Sequence, residues 1–256
     1  NKIRRQIVYD SKTNLLIASG SKRSSREILE RKGIYKNEPI FGNTLKEIYH
    51  KSQNPVPPFI CKIVELIEKP ENIKSMGLYR TSGNLATIQK IRLAADNGRL
   101  DILDNFSKDP DVLTGSLKLF FRELKEPLMP YCIFNQMADI IKIPLNQLTT
   151  KDHQKIRSII VKYMYESNLA TFRVIMRHLV EVVKHKEDNK MDAYNLAICW
   201  GPSLIFPNVT IGPESTIEST KDLVSLSHDA TRLTDFLIGY YQMYPAELGG
   251  RPVSLV

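Results

Sequence analysis

One arginine of the sequence stands in a short segment between two glycines, GLYRTSGN, at positions 77–84. Glycine tolerates backbone conformations that a Cβ disfavours, so the segment predicts a sharp turn that anchors Leu78 and Tyr79 inward and leaves Arg80 outside. The chemistry open to Arg80 is therefore that of a single guanidinium displayed on a loop. The plainer alternative is a solvated charge or half of a surface ion pair, which contributes about 0–1 kcal/mol.

Two further cations stand four residues apart in the segment 117–128, LKLFFRELKEPL. This spacing predicts one helical face for Lys118 and Arg122, while the apolar residues of the segment pack inward. Like charges on one face repel each other unless something anionic or a polar acceptor lies near. Three arrangements stay open: the two glutamates of the segment or solvent balance the cations, an acidic partner surface does, or the loop carbonyls around Arg80 accept from them.

An asparagine interrupts the apolar part of the segment 189–204, NKMDAYNLAICWGPSL, which predicts a helix that ends at Gly201-Pro202. A buried amide costs free energy unless its donors and its acceptor find partners. Asn195 is therefore either a satisfied amide of the core or a contact for a partner.

The elements that position these residues are predicted to be helices. From residue 39 onward apolar residues recur at helical spacing and strand-like alternation is scarce. The pattern predicts a single all-α domain over 39–245, a bundle of about eight or nine helices, followed by a tail at 246–256. The predicted helices are 44–50, 57–68, one from residue 85 that Asn84 caps, 110–124, 131–142, 150–165, 168–184, 192–199 and 220–241.

The first 38 residues form a basic extension. They hold 10 Lys and Arg against 4 Asp and Glu, whereas residues 39–256 hold 26 against 24, so most of the formal charge of +8 lies in the extension. The nearly neutral body argues against a broad nucleic-acid surface. The extension is either a solvated tail or an arm that meets an anionic membrane. Within it, the runs 6–9 and 15–18 predict a β-hairpin, and 25–35 predicts one or two helical turns before the boundary.

The overall composition, 42% hydrophobic and 25% charged, is typical of a globular protein. No apolar run approaches the roughly 18 residues of a membrane span, and the first residues have no signal-peptide layout. We therefore expect an excised, non-secreted fragment. Three widely spaced cysteines, Cys61, Cys132 and Cys199, predict buried thiols in a reducing, cytoplasmic setting rather than disulfides or a zinc site.

Motifs for chemistry of the chain's own do not occur in the sequence: GxxxxGK[ST], GxGxxG, HExxH, CxxC and GxSxG are all absent. His178 and His185 stand seven residues apart on one predicted helix. Without cysteines or carboxylates at ligand spacing, they are predicted to be surface or capping histidines rather than metal ligands. The sequence thus predicts neither a nucleotide-binding loop nor a metal site.

Five segments together resemble the Rho GTPase-activating (RhoGAP) domain family, in the family's order and at family-like distances. The resemblance covers about residues 39–243 and implies an all-α GTPase activator. The segments around 32–42 and 83–92 are similar to members in which a pleckstrin-homology domain precedes the activator. The five segments are FG at 41–42, VPPFI at 56–60, GLYRTSG at 77–83, LKLFFRELKEPL at 117–128 and NKMDAYNLAICWGPSL at 189–204.

The resemblance implies a role for each matched residue. Arg80 corresponds to the arginine finger, which enters the active site of a GTP-loaded Rho-family GTPase. Lys118 and Arg122 match the cations that brace the finger loop and meet the GTPase. Asn195 matches an amide that contacts the partner's switch region, and Pro127 lies at the edge of the interface. GTP and Mg²⁺ belong to the partner, so the domain, expected to be a monomer, needs no cofactor of its own.

Three positions depart from the family pattern. Met164-Tyr165 stands where the family often has Leu-Pro, and Trp200 replaces a usual aliphatic residue or Phe; both are expected to alter packing only. Asp229 lies near a position where many members have Asn, which puts one secondary GTPase contact in doubt and bears on the preferred partner. Two other functions stay open: a GTPase-binding adaptor that does not accelerate hydrolysis, and a membrane or phosphoinositide-binding fragment driven by the basic extension.

Overall fold

The computed structural model describes residues 6–10, 15–19, 39–205 and 220–249. Two short strands, β1 (Gln6–Asp10) and β2 (Leu15–Ser19), pair in an antiparallel hairpin in which Gln6 lies opposite Ser19. The predicted hairpin is therefore confirmed, one residue longer in each strand. The helical turns predicted at 25–35 lie outside the described residues.

From residue 39 onward the described residues form one helical domain, as the sequence predicts. It contains eleven α-helices, of which eight have eight residues or more, and four 3₁₀ helices. The count exceeds the predicted eight or nine because single-turn helices are too short to show a period in the sequence. The α-helices are α1 (Leu45–Ser52), α2 (Pro58–Ile67), α3 (Pro70–Ile73), α4 (Leu85–Asp96), α5 (Pro110–Glu123), α6 (Cys132–Met137), α7 (Thr150–Tyr163), α8 (Glu166–Lys184), α9 (Lys186–Asn189), α10 (Ala193–Leu204) and α11 (Thr220–Met243). The 3₁₀ helices are Leu100–Phe106, Ile140–Lys142, Leu145–Gln147 and Pro245–Leu248.

Side-chain caps fix where the three helices nearest the Arg80 segment begin. The Asn84 side chain accepts from the backbone N–H of Thr87 at the start of α4, as predicted. Asp109 caps α5 in the same way, and Asp192 caps α10 by accepting from the N–H of Asn195 at 2.7 Å. A cap of this kind stabilises a helix by about 1 kcal/mol.

An aromatic cluster fills the core beneath these helices. Trp200 of α10 is fully buried, and its ring centroid lies 5.1 Å from that of Tyr79 and 5.6 Å from that of Phe121. Aromatic pairs at these distances contribute about 0.5–1.5 kcal/mol each beyond the area they bury. Trp200 therefore joins α10 to α5 and to the segment that carries Arg80.

An ion pair joins α4 to α5 in the same region. Arg92 Nε donates to Glu123 Oε2 at 2.7 Å, and the two side chains are only 11% and 9% exposed. The guanidinium also lies over the ring of Phe41 at 5.6 Å. Replacing only one partner of such a poorly exposed ion pair is strongly destabilising, because the other charge is left buried without a counter-charge.

Helix α10 continues to Leu204, so the predicted end at Gly201-Pro202 is wrong. Helical hydrogen bonding continues past Pro202, since the Ile205 N–H donates to Gly201 O at 3.1 Å. Gly201 also lets α11 approach, since a Cβ at that position would lie 2.9 Å from the backbone of Ala230. Close contact between α10 and α11 thus stabilises a helix end that a proline alone would disfavour.

The cysteines are more accessible than the sequence predicts. All three are free thiols, but Cys132 is exposed and Cys61 and Cys199 are only half-buried. The prediction is wrong for Cys132 because its neighbours Ile133 and Phe134 occupy the inward side of α6. Among the described helices, none combines the length and hydropathy that crossing a bilayer requires.

Candidate functional site

The loop that carries Arg80 turns tightly on the carbonyl of Gly77. Arg80 N–H and Thr81 N–H both donate to Gly77 O, at 2.8 and 3.0 Å. Leu78 and Tyr79 are fully buried and Arg80 is exposed, which confirms the predicted orientation. We call residues 77–83 the Arg80 loop.

The Arg80 guanidinium folds back over Gly77. A Cβ on Gly77 would lie 3.4 Å from Arg80 Nη2, and the φ of Gly77 is +73°, a conformation that favours glycine. Within the described part of the chain, the Arg80 side chain has no hydrogen bond or ion pair. This excludes a surface ion pair with any described residue, one of the two alternatives that the sequence left open.

Tyr79 adopts the left-handed conformation as well, with a φ of +73°. From the sequence, such conformations are expected at the glycines, and nothing in the residue type of a buried tyrosine indicates one at Tyr79. A non-glycine residue pays on the order of 1–2 kcal/mol there, so surrounding contacts must hold it.

Gly83 closes the loop for a different reason. A Cβ there would lie 2.5 Å from the backbone oxygen of Asp111, at the start of α5. Only a glycine lets the two backbones approach this closely. The loop therefore lies directly against α5.

Lys118 ties α5 to the loop. Its Nζ donates to the carbonyl oxygen of Tyr79 at 2.6 Å. Burial lowers the pKa of Lys118 and the charge of Arg122 lowers it further, while Cys199 opposes the shift. Of the three arrangements open for this cation, the loop carbonyl is the one observed.

Arg122 lies one turn further along α5 and is half-buried, and this burial lowers its pKa. The neighbouring Glu123 opposes the shift, although its carboxylate also holds Arg92. Lys118 and Arg122 thus share one face of α5, as their spacing predicts.

Asn195 is half-exposed on α10 and not a buried amide of the core. Its side chain makes no hydrogen bond to any residue that the structure describes. Cys199, one turn later, connects it to the loop: burial raises the pKa of this thiol, and the nearby charges of Lys118 and Arg80 oppose the increase. Arg80, Lys118 and Asn195 therefore border the same region of the surface.

The same helix exposes two large apolar side chains that the sequence analysis did not single out. Tyr194 is 58% exposed and Ile198 is 50% exposed, and the two are four residues apart on α10. Their four-residue spacing, on the helix that carries Asn195, is the feature of the sequence that could have indicated them. We call Arg80, Lys118, Arg122, Asn195 and Tyr194 with Ile198 the candidate face.

Pro127 lies beyond the other end of α5 from Gly83 and is half-buried. Its neighbours attach this segment to other helices: Leu128 O accepts from Asn168 Nδ2 at 3.1 Å, and Met129 N–H donates to Leu204 O at 3.0 Å. No hydrogen bond links Pro127 with the Arg80 loop in the described residues.

The departures from the family pattern have clear packing roles. Met164 is buried, and Tyr165 is exposed and lies under the ammonium of Lys46 at 5.0 Å. Asp229 accepts a hydrogen bond of 3.2 Å from the Tyr131 hydroxyl, so one oxygen of its carboxylate already has a partner.

His178 is a second residue that the sequence placed wrongly. It is fully buried on α8 rather than a surface or capping histidine. Its ring nitrogens contact the Tyr79 hydroxyl and the Glu68 carboxylate, which satisfy it inside the core. The partners lie 99 and 110 residues away in the chain, so no local pattern could indicate them.

Comparison with known proteins gives consistent results. The RhoGAP domain family model matches residues 57–209. The chain is 41% identical over 182 residues to the WW domain-containing protein tag-325 of Caenorhabditis elegans, covering 71% of this chain and 21% of that protein. It is 38% identical over 189 residues to Rho GTPase-activating protein 27 of Rattus norvegicus, covering 73% and 21%.

A solved structure supports the same relationship. The crystal structure of human Rho GTPase activating protein 15 superposes with a TM-score of 0.70 at 30% identity, covering 89% of this chain and all of that one. The matched part of the chain spans about a fifth of the length of the first two relatives. The family match, the similar sequences and the shared helical fold lead to one conclusion: this chain belongs to the RhoGAP domain family.

Proposed function

We propose that this domain accelerates GTP hydrolysis by a Rho-family small GTPase and that it does so by placing Arg80 in the partner's active site. The observation that carries the proposal is an exposed guanidinium, without a described partner, on a loop that a half-buried lysine holds in place. Such a charge is ready to meet an anion from another molecule. Relatives named as Rho GTPase-activating proteins support the partner class.

The chemistry of GTP cleavage explains the need for this side chain. Negative charge spreads over the β- and γ-phosphate oxygens as the bond breaks, and a guanidinium supplied in trans stabilises that charge. Arginine fingers accelerate hydrolysis by roughly 10³–10⁵, which corresponds to about 4–7 kcal/mol of barrier. Lysine would serve poorly because it lacks the planar fork of donors.

The remaining residues of the candidate face have supporting roles in this proposal. Lys118 holds the backbone of the loop, and Arg122 beside it meets acidic or carbonyl groups of the partner. Asn195 offers an amide with no partner in the described residues to the mobile segment of the GTPase that senses the γ-phosphate. Pro127 stands further away and is proposed only as an edge of the interface.

GTP and Mg²⁺ enter this proposal with the partner. The sequence contains no GxxxxGK[ST] loop to cradle phosphates, so the nucleotide site is assigned to the GTPase. The domain itself is proposed to act as a monomer with no cofactor. An upstream pleckstrin-homology domain, a cytoplasmic location and membrane recruitment through residues 1–38 stay predictions from the sequence.

The experiment that tests the proposal is phosphate release from a panel of GTP-loaded Rho, Rac and cell-division-control GTPases, with a Ras-type GTPase as the unrelated control. We expect this domain to accelerate release from at least one Rho-family member by a factor of 10³ or more. Binding to the GTP-loaded forms without acceleration would favour the adaptor function instead. Binding only to anionic vesicles, lost on deletion of residues 1–38, would favour the membrane function.

A further inference from the structure

A chain of polar contacts leads from the Arg80 loop through the core to the surface. The Tyr79 hydroxyl lies 2.5 Å from His178 Nε2, and His178 Nδ1 lies 2.8 Å from Glu68 Oε1. Tyr79 and His178 are both fully buried, whereas the Glu68 side chain is 37% exposed at the end of α2. Tyr79 is also the residue immediately before Arg80.

The hydrogen-bonding capacities of these groups fix the positions of the protons. A carboxylate only accepts, so His178 Nδ1 carries a proton and donates it to Glu68. The Tyr79 hydroxyl has no other hydrogen-bond partner in the described residues, and burial raises its pKa well above the ordinary value, so it remains protonated. A doubly protonated imidazole would leave the hydroxyl proton without an acceptor inside the core. The arrangement that satisfies all three groups has Nδ1 donating to Glu68 and Nε2 accepting from Tyr79.

Tyr79 is held at three separate points. Its carbonyl oxygen accepts from Lys118, its ring packs on Trp200, and its hydroxyl donates to His178. This many contacts are required because its φ of +73° is disfavoured for any residue with a Cβ. If one contact is lost, the backbone of Tyr79 can relax toward negative φ. The orientation of the Arg80 side chain then changes, because Arg80 is the next residue.

We propose that His178 and Glu68 are positioning residues that hold Tyr79, and through it Arg80, in the geometry that hydrolysis needs. This inference rests on the proposed function for the catalytic effect of Arg80. It goes beyond that function because it assigns a role to two side chains outside the candidate face. Neither of them touches the partner, and both act by keeping the loop in one conformation before the partner arrives.

Tyr79→Phe removes only the hydroxyl, and the chain supplies a matched control. Tyr240 is also buried, and its hydroxyl lies 2.9 Å from His153 Nδ1, on helices that do not carry the Arg80 loop. Tyr79→Phe is expected to lower kcat for stimulated hydrolysis at least fivefold with KM changed less than twofold, because the loop still docks but Arg80 is less often in place. Tyr240→Phe is expected to leave both constants within twofold of wild type. A wild-type kcat for Tyr79→Phe, or an equal loss in both variants, would overturn the proposal.

A variant of Glu68, the partly exposed end of this series of hydrogen bonds, tests the network from the surface. Glu68→Ala removes the acceptor for His178 Nδ1, and Glu65→Ala, near the end of α2, removes an exposed carboxylate with no described hydrogen bond. We expect a loss of kcat of about threefold or more for Glu68→Ala and none for Glu65→Ala. Equal kcat in these two variants would exclude Glu68 from the network.

Two measurements on the free domain separate this inference from the proposed function. The imidazole ¹⁵N shifts of His178 should show a protonated Nδ1 and an unprotonated Nε2. The backbone ¹⁵N order parameters of Arg80 and Thr81 should fall in Tyr79→Phe and Glu68→Ala but not in their controls. If no GTPase responds to the wild-type domain, the proposed function fails while these two measurements still decide the positioning role. A reversed tautomer or unchanged order parameters would contradict that role.

Discussion

Lys118 Nζ donates a hydrogen bond of 2.6 Å to the carbonyl oxygen of Tyr79, the residue that immediately precedes Arg80. A cation from the middle of α5 thus holds the backbone of a loop whose one exposed charge has no described partner. The bond is made at a cost, since burial lowers the pKa of this lysine. An expensive contact that fixes one loop is expected where the position of that loop matters.

Lys118→Met should separate this bond from simple packing. Methionine keeps the apolar stem but leaves the Tyr79 carbonyl without its donor, so we expect a loss of about 1–2 kcal/mol in the free energy of unfolding. The stimulated hydrolysis rate should fall about tenfold. Urea unfolding and single-turnover hydrolysis measure the two effects. Lys90→Met, at an exposed position of α4, is the control; a loss no larger than that of the control would reduce Lys118 to a surface charge.

Asn195→Ala should leave stability nearly unchanged, within about 0.5 kcal/mol, because the amide has no hydrogen bond in the described residues. Affinity for the GTP-loaded partner should fall about tenfold, as measured by calorimetry. Asn189→Ala is the contrasting change: that amide is fully buried and bonds the carbonyls of Ile73 and Val182. We expect it to cost about 2–4 kcal/mol of stability. A large loss of stability for Asn195→Ala would show an internal structural role instead.

Gly83→Ala should disturb the Arg80 loop from its far end. The added methyl would lie 2.5 Å from the Asp111 carbonyl oxygen, so the loop or α5 must move, at a cost of about 1–3 kcal/mol. Gly98→Ala provides the comparison, since no atom lies within 4 Å of its Cβ position and only its φ of +75° opposes the change. Thermal unfolding measures the loss of stability in each variant. Hydrolysis rates should show lost activity for Gly83→Ala and not for Gly98→Ala. Full activity in that variant would mean that the close approach to α5 is dispensable.

Asp235 lies near Asp192, the cap of α10, and is expected to make the stability of the domain depend on pH. Burial raises the pKa of Asp235 above 3.8, and the nearby carboxylate of Asp192 raises it further. The folded state therefore holds this proton more tightly than the unfolded chain, so stability decreases as pH rises from below 3.8 through the folded-state pKa. At pH 7, Asp235→Asn should be more stable than wild type by about 0.5 kcal/mol, a small value because solvent screens the half-exposed position.

The stability difference between Asp235→Asn and wild type should shrink toward zero in urea unfolding near pH 3. Asp101→Asn, at an exposed site without a described partner, is the control variant. A difference that stays constant from pH 3 to pH 7 would contradict the assigned cause.

Much of the site was predictable because its determinants are local. The turn at Gly77, the four-residue spacing of Lys118 and Arg122, and the cap at Asn84 each act within a few residues. For the same reason the helices and the inward orientation of Leu78 follow from the sequence. The order of the five segments identified the family, which residue spacing alone does not.

The sequence failed where a partner is distant in the chain. His178 looks like a surface histidine until the fold brings Tyr79 and Glu68 to its two nitrogens. The left-handed backbone of Tyr79 is likewise imposed by tertiary contacts that overcome its local preference. Helix α10 passes through Pro202 because α11 packs against it, which a local reading of Gly-Pro does not reveal.

Single-turnover GTP hydrolysis by a responsive Rho-family GTPase, with saturating amounts of this domain, tests whether Arg80 acts in catalysis. Arg80→Ala is compared with Arg99→Ala, an exposed arginine whose side chain also lacks a described partner. We expect Arg80→Ala to lower the rate at least roughly a hundredfold while its affinity for the GTP-loaded partner stays within about threefold, since the guanidinium acts mainly in the transition state. Equal rates for Arg80→Ala and Arg99→Ala would contradict this expectation.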